Sequence, residues 1–282
     1  MKLSILTATY NRAKFLENLY KSILKNIETS NLKVEWIIIN DGSTDNTEEV
    51  IDKLILENKI KIKHLYQENS GKMVAINRGM EEVTGELIVD CDSDDFFAED
   101  AFKVIEKNAL KLLENEKMYA LCFLKQDFSG NISGKRFSIN YIESTMFDLY
   151  FKQDIEGEKI LVFNTKIRKK FRHELEKNEK FITEARMYHK MDEKYNILCI
   201  NEVIEIGEYI SDGYTMNIFQ TFKKSPNGYY KYFKEILKKG TKGVLLKNKI
   251  YILKHIVIFF VFKNLNKFRE KYTFLNKICK WS

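Results

Sequence analysis

Four aspartates crowd the stretch VDCDSDDFF at residues 89–97: Asp90, Asp92, Asp94 and Asp95. Carboxylates this close repel one another, and Asp is a poor strand former. Asp92 and Asp94 stand two residues apart, so on an extended backbone their side chains leave by the same face. Placed so, they could bracket one hard cation, which would relieve their repulsion. Mg²⁺ or Mn²⁺ is usually held by one or two carboxylates together with substrate phosphates. An EF-hand loop beginning at Asp90 would need Gly at its sixth position and Glu at its twelfth; the chain has Asp95 and Ala101 there. No His or Cys pair at ligand spacing lies near, which argues against zinc. Taken alone, the cluster leaves two readings open: a divalent site with a phosphorylated ligand, or a solvated acidic turn.

The elements around the cluster favour the site. KLSILTAT (2–9), VEWIIIND (34–41), IKIKHLYQ (60–67) and GELIVDCD (85–92) read as strands. Between them RAKFLENLYKSILKN (12–26), STDNTEEVIDKLILEN (43–58) and GKMVAINRGMEEV (71–83) carry helical apolar spacing. Alternation of this kind predicts an α/β fold with a parallel sheet covered by helices, whose ligands bind beyond the carboxyl ends of the strands. Three of those ends carry TATYNR, NDGSTD and DCDSDD. After residue 100 the pattern is mixed, with a helix over 99–115, strands at 118–126, 159–164 and 195–206, and a loop entering a helix over 179–191.

Bulk composition removes several function classes. A chain of 282 residues that is 44% hydrophobic and 31% charged can bury a substantial core and is not disordered by composition. The cysteines, Cys91, Cys122, Cys199 and Cys279, are scattered and form no CxxC pair, so free thiols in a reducing cytosol fit better than disulfides or a zinc site. The start, MKLSILTATYNR, is too weakly apolar for a signal peptide, and HIVIFFVF (255–262) is far short of the roughly 20 residues that span a bilayer. Charge is segregated: residues 216–282 hold 16 Lys or Arg against Glu235 and Glu270, while the whole chain is +7. An acidic body with a basic tail suggests that the tail meets an anionic surface. Nucleic acid is a poor reading, because no binding motif accompanies the basic residues.

The segments SILTATYNR, IIINDGSTDNT and QENSGKMVAINRGMEEVTGELIVDCDSDD resemble, in order and spacing, the nucleotide-binding half of family 2 glycosyltransferases, which have the GT-A fold. The resemblance runs through residues 2–100 and continues more weakly to about 215, through EKFITEARMYHKM and EYISDGYT. It implies three parts: a nucleotide-sugar-binding half at 1–100, an acceptor-binding half at 101–215, and a basic helical C-terminal region at 216–282. It implies inverting transfer from a nucleotide-sugar, a UDP-sugar, to a hydroxyl of a glycan or lipid-linked acceptor in bacterial surface polysaccharide or glycolipid synthesis, with Mn²⁺ or Mg²⁺.

By the same resemblance Thr9, Tyr10 and Arg12 line the nucleotide site, with Ala8 replacing the usual Pro. Asp41 matches the carboxylate that reads the uracil edge, and an acceptor-only carboxylate suits an imide N–H. Lys72 and Asn77 fall on the nucleotide side; Lys72 opens a helix, where an ammonium and free N–H groups favour an anion. Asp92 is assigned to the ribose and metal region, Ser93 to the donor and Asp94 to direct metal ligation. Asp95 would position the acceptor or orient its neighbour, and Asp90 precedes the matched motif. Gly79 is read as structural, allowing close helix packing. Inversion needs a base for the acceptor hydroxyl; Glu184 of KFITEARM, at a helix start, is that residue. His189 either flanks the acceptor or packs, and Asp212 is a weaker candidate in the segment that closes over the site. For 216–282 two readings stand: Lys and Arg stems over an apolar stripe on an anionic membrane, or a core or dimer helix. A non-catalytic sugar-nucleotide binding protein and a sugar-phosphate nucleotidyltransferase are the alternatives; the latter normally has a Gly-rich loop after the first strand, and TATYNR has no glycine.

Overall fold

In the computed structural model, which describes residues 1–207 and 218–279 with side chains described to residue 265, the four expected N-terminal strands form. They are β1 (Lys2–Thr9), β2 (Lys33–Asn40), β3 (Lys61–Tyr66) and β4 (Leu87–Asp90), all parallel, in the order β3-β2-β1-β4. The crossovers are α1 (Ala13–Glu28), α2 (Thr47–Leu56) and α3 (Lys72–Gly79). Helix α2 begins later than its apolar pattern suggests, because GSTD is used as a loop. There Asn11 accepts from Thr44 N at 2.7 Å, and Asp45 accepts from Thr47 N at 3.1 Å.

The chain then adds β5 (Phe96–Phe97), α4 (Ala101–Leu113), β6 (Met118–Gln126), β7 (Ile142–Ser144), α5 (Met146–Phe151), β8 (Lys159–Asn164), α6 (Thr165–Arg168), α7 (Ala185–Met191) and β9 (Asn196–Ile206). These strands extend the same sheet as β4-β8-β6-β9-β5, with β7 also on β9. Strand β8 runs antiparallel between β4 and β6, whereas β6 and β9 are parallel. One sheet therefore crosses the boundary drawn at residue 100. The short elements β5, β7, α5 and α6 have too little periodicity to be read from sequence.

Each face of the sheet is sealed by an apolar layer, which follows from the continuous apolar runs of strands covered on both sides. On one face α1, α2 and α4 contribute Leu16, Leu19, Ile23, Ile51, Phe102 and Ile105 against Leu3, Ile5, Trp36 and Ile38. On the other, α3, α5 and α7 contribute Ala75, Ile76, Leu149, Met187 and Met191 against Leu6, Ile37, Ile39 and Phe163. Gly79 lets α3 lie on the sheet: a Cβ there would stand 2.6 Å from both Ile39 Cδ1 and Leu6 Cδ2.

A third apolar cluster joins the C-terminal helices α8 (Ile218–Lys224), α9 (Pro226–Lys239) and α10 (Leu246–Cys279) to the body. Tyr229, Tyr232, Phe233, Ile236, Ile252 and Phe259 pack with Phe147, Phe151 and Ile182. The Glu179 carboxylate accepts from Asn227 N at 2.7 Å and Gly228 N at 2.8 Å, an anion on the first turn of α9. Arg186 pairs with Glu235 through two 3.0 Å bonds. His189 packs: its ring lies 5.4 Å from Phe147, 5.8 Å from Phe151 and 5.5 Å from Tyr232.

Burial of His189, helped by Lys239, pushes its imidazole down to about 3. The folded state keeps this ring neutral while the unfolded chain takes up a proton below the ordinary value of roughly 6.5. Stability is therefore lost as pH falls from there toward 3. Between pH 6.5 and 5, His189→Phe should lose about 2 kcal/mol less than the parent protein in urea unfolding; equal losses would contradict a neutral buried ring.

Candidate active site

The loops after β1, β2 and β4 meet at the carboxyl edge of the sheet. Asp41 N donates to Thr9 O at 2.8 Å, and Asn11 N donates to Ser43 Oγ at 3.0 Å, so the TATYNR and NDGSTD loops are stitched together. Asn11 takes φ 54°, a left-handed position that Asn tolerates. Asp45 Oδ2 accepts from Ala13 N at 3.3 Å, satisfying a free donor at the start of α1. Thr9 is buried with no hydrogen-bond partner on its hydroxyl, and Tyr10 is exposed.

Asp41 is buried and anchors the segment before α3. Its Oδ1 accepts from Gln67 Nε2 at 2.7 Å and Ser70 N at 2.8 Å, and its Oδ2 from Gly71 N at 2.8 Å. A carboxylate has about four acceptor directions, so three are used in shaping this loop. Gly71 holds φ 100°, and a Cβ there would stand 2.0 Å from Lys180 O. Only glycine fits, and the turn it makes aims Lys72 into the cleft.

Lys72 is the centre of the site. Its ammonium lies 2.6 Å from Asp92 Oδ1 and 3.0 Å from Glu184 Oε1. Burial alone would push the Lys72 pKa down, but the two carboxylates outweigh it and hold it well above the ordinary lysine range. Burial likewise acts to raise Asp92, and Lys72 overrides it, leaving that carboxyl below its usual value. Glu184 stands at the N-cap of α7, with its other oxygen 3.5 Å from the Tyr188 hydroxyl. Residues 92 and 184, read separately from sequence, thus share one ammonium.

Asp94 is raised by burial and then by the neighbouring Asp92 charge; its nearest basic group is Arg12 Nε at 4.0 Å. Two desolvated carboxylates that disfavour each other's charge fit a divalent cation completed by phosphate oxygens. Ser93 is buried between them. The metal-like group among the described residues with three ligand atoms within 4.8 Å lies elsewhere, at Glu48, Asp52 and His64 on α2 and β3. Asp92 and Asp94 belong to no such three-ligand group among the described residues.

Lys72, Asp90, Asp92, Glu184, Tyr188 and Glu205 are among the residues that line an open cleft with about 40 Å³ of enclosed space. Asp90 belongs to it. Arg168, fully buried on α6, stands 3.9 Å behind Asp90 Oδ2, while Asp90 Oδ1 has no hydrogen-bond partner. Burial pushes the Asp90 carboxyl up to about 6 against the pull of Arg168. Asp95 turns away to Lys125, at 2.5 Å. Gly207 permits this, since a Cβ there would fall 1.5 Å from Asp95 Oδ1.

Asn77 has a different task from the one expected of it. Its Nδ2 donates to His173 O at 2.8 Å and its Oδ1 accepts from His173 N at 2.9 Å, so both ends of the amide pin the 171–175 segment to α3. Asp212 and the EYISDGYT segment lie outside the described residues. Sequence reading missed Arg168, Lys125 and Glu205. For Glu205 a signal existed, a lone acid within the apolar run VIEI; for the two cations none did.

A mostly parallel sheet with clustered carboxylates and basic side chains at its carboxyl edge, continued by a mixed half, is the architecture of GT-A glycosyltransferases. The chain belongs to glycosyl transferase family 2, whose family model matches residues 4–171. An uncharacterized glycosyltransferase of Mycoplasma genitalium is 37% identical over 114 residues, and that match spans 39% of this chain but only 38% of the relative. Among solved structures, residues 1–349 of S. aureus TarS in complex with UDP-GlcNAc superpose with TM-score 0.60 at 20% identity, covering 92% of this chain and 72% of that one. A mannosyltransferase from Pyrobaculum calidifontis in complex with GDP-Man and Mn²⁺ superposes with TM-score 0.56 at 17% identity, covering 84% and 64%. These two likenesses show the fold.

Gly71→Ala should cost at least about 2 kcal/mol in urea unfolding, because it combines a disfavoured φ with a backbone clash. Stability within a few tenths of the parent would show that the loop can relax around a Cβ.

Proposed function

We propose that the protein is an inverting glycosyltransferase that moves a sugar from a UDP-sugar to a hydroxyl of a glycan or lipid-linked acceptor in bacterial surface polysaccharide or glycolipid synthesis. The observation that carries this reading is Lys72 bridging Asp92 and Glu184 in one cleft at the strand ends. It brings a nucleotide-side acid, an anion-binding ammonium and a base candidate within reach of one substrate.

In this reading Thr9, Tyr10, Arg12 and Asp41 form the nucleotide wall, Asp41 offering its remaining acceptor direction to the uracil imide. Lys72 and the first turn of α3 face the diphosphate. Asp94 and Asp92 would hold Mn²⁺ or Mg²⁺, which when bound neutralises charge growing on the leaving diphosphate. Glu184, half-exposed, takes the proton of the acceptor hydroxyl as that oxygen attacks the anomeric carbon from the face opposite the diphosphate. The Tyr188 hydroxyl and Lys72 fix the direction of its carboxylate.

The C-terminal region adds a partner. Helix α10 buries Ile252 and Phe259 inward, while Leu246, Ile250, Leu253, Val257, Phe260 and Leu265 are exposed along its outer side, with Lys254 exposed nearby and Lys247 paired with Asp154 and Glu156 of the body. No helix among the described residues is long and apolar enough to cross a membrane. Apolar side chains between lysines suit the headgroup region of an anionic membrane, where they can insert while the ammonium groups meet phosphate.

Three measurements test these assignments. UDP with Mn²⁺ should raise the melting temperature, and Asp94→Ala should abolish the metal-dependent part; an unchanged shift removes the metal assignment. Glu184→Gln should lower kcat by about 10²–10⁴-fold with UDP affinity retained. Undiminished transfer would remove the base assignment, and no turnover by the parent protein across a donor panel would favour a binding protein. Liposomes of anionic lipid should float the full chain and not a chain ending at residue 240; equal flotation would contradict the membrane contact.

A further inference from the structure

One buried carboxylate in the cleft has no part in the chemistry above. Glu205 lies on β9, opposite Phe97 of β5, with only 2% of its surface exposed. The pairing of β9 with β6 slips between Val203 and Glu205, which sets Glu205 opposite Lys125 on one side and the core residue Phe97 on the other, where an apolar residue would be the ordinary choice. Glu205 Oε1 sits 3.5 Å from Lys125 Nζ, but Oε2 is buried with no hydrogen-bond partner. Lys125 cannot compensate fully: its one charge is divided among Asp95 at 2.5 Å, Glu158 at 3.2 Å and Glu205. A buried acceptor left without a donor is costly, and native chains rarely keep one without a use.

The side chain lines the same cleft as Asp92 and Glu184. Burial and the nearby Asp95 charge push the Glu205 carboxyl well above its ordinary range against the pull of Lys125. A ring hydroxyl, which both donates and accepts, would satisfy the free oxygen in either protonation state. Lys125 holds one oxygen in place, which leaves the other with a fixed direction.

We propose that Glu205 is a specificity-determining residue whose Oε2 hydrogen-bonds a ring hydroxyl of the sugar being transferred. This rests on the glycosyltransferase reading and deepens it: the donor sugar must carry a free hydroxyl at the position facing β9. A buried polar group with no other partner discriminates against a ring that lacks the hydroxyl, because its own desolvation then goes uncompensated.

The test is calorimetric, with Mn²⁺ and without acceptor. UDP, UDP-glucose, UDP-galactose, UDP-N-acetylglucosamine and UDP-glucuronic acid are titrated into the full chain. At least one UDP-sugar should bind more tightly than UDP. Glu205→Leu should keep the UDP affinity within about twofold and weaken that UDP-sugar by about 5- to 10-fold, the worth of one hydrogen bond. Equal weakening of both ligands, or of neither, overturns the assignment. Should Glu205→Leu fail to fold, single-deoxy analogues of the preferred UDP-sugar on the parent protein decide: one position should lose about tenfold or more, and uniform affinity overturns it. If the parent binds no UDP, the UDP-sugar reading itself falls, whereas UDP binding without any gain from the sugar removes Glu205 alone.

Discussion

Everything at the carboxyl edge depends on where one ammonium is held. Lys72 can stand between Asp92 and Glu184 only because α3 begins with a glycine in a left-handed turn, and that turn is held by Asp41 accepting from the backbone of residues 70 and 71. The strength of the arrangement comes from partial burial. In bulk water two carboxylates about 3 Å from an amine would exchange freely with solvent, but in a cleft of lower effective dielectric the pairing is far stronger. The positive charge is what allows two acids to face each other across the cleft.

Sequence made the first half of this visible because its signals are local. Strand runs ending in TATYNR, NDGSTD and DCDSDD declare both the sheet and its functional edge within a few residues of each other. The helix start at Glu184 was legible for a similar reason, standing where a charged loop turns helical. What stayed hidden depends on pairings between distant segments. Arg168 reaches Asp90 across 78 positions, and Lys125 gathers acids from 95, 158 and 205. Periodicity carries no trace of such meetings. Asn77 shows the converse: its place in a matched motif suggested a ligand contact, but a side-chain amide has both donor and acceptor, and the backbone of His173 uses both.

The basic C-terminal region shows how composition blurs two roles. Its charge excess reads as a single tail, yet the helices divide the work. Helix α9 is sealed to the body by aromatic packing, by Glu179 at its start and by Arg186–Glu235 along its side. Among the described residues, helix α10 keeps one side in that packing and turns Leu246, Ile250, Leu253, Val257 and Phe260 outward. The described lysines of this region are mostly on the outside, so the composition reported the surface and was silent about the core.

The segment 179–186 ties these regions together. Glu179 grips α9, Lys180 reaches back to Asn69 O at 2.7 Å while its carbonyl closes on Gly71, Glu184 meets Lys72, and Arg186 returns to α9. Four of these eight residues are fastened, the outer two to a helix that lies beyond the stretch matched by the family model and the inner two to the N-terminal half. The position of Glu184 is therefore set from two sides, like a bridge pinned on both banks. Shortening the chain before residue 226 would free one bank, so in this fold a stretch far from the strand ends governs the geometry there.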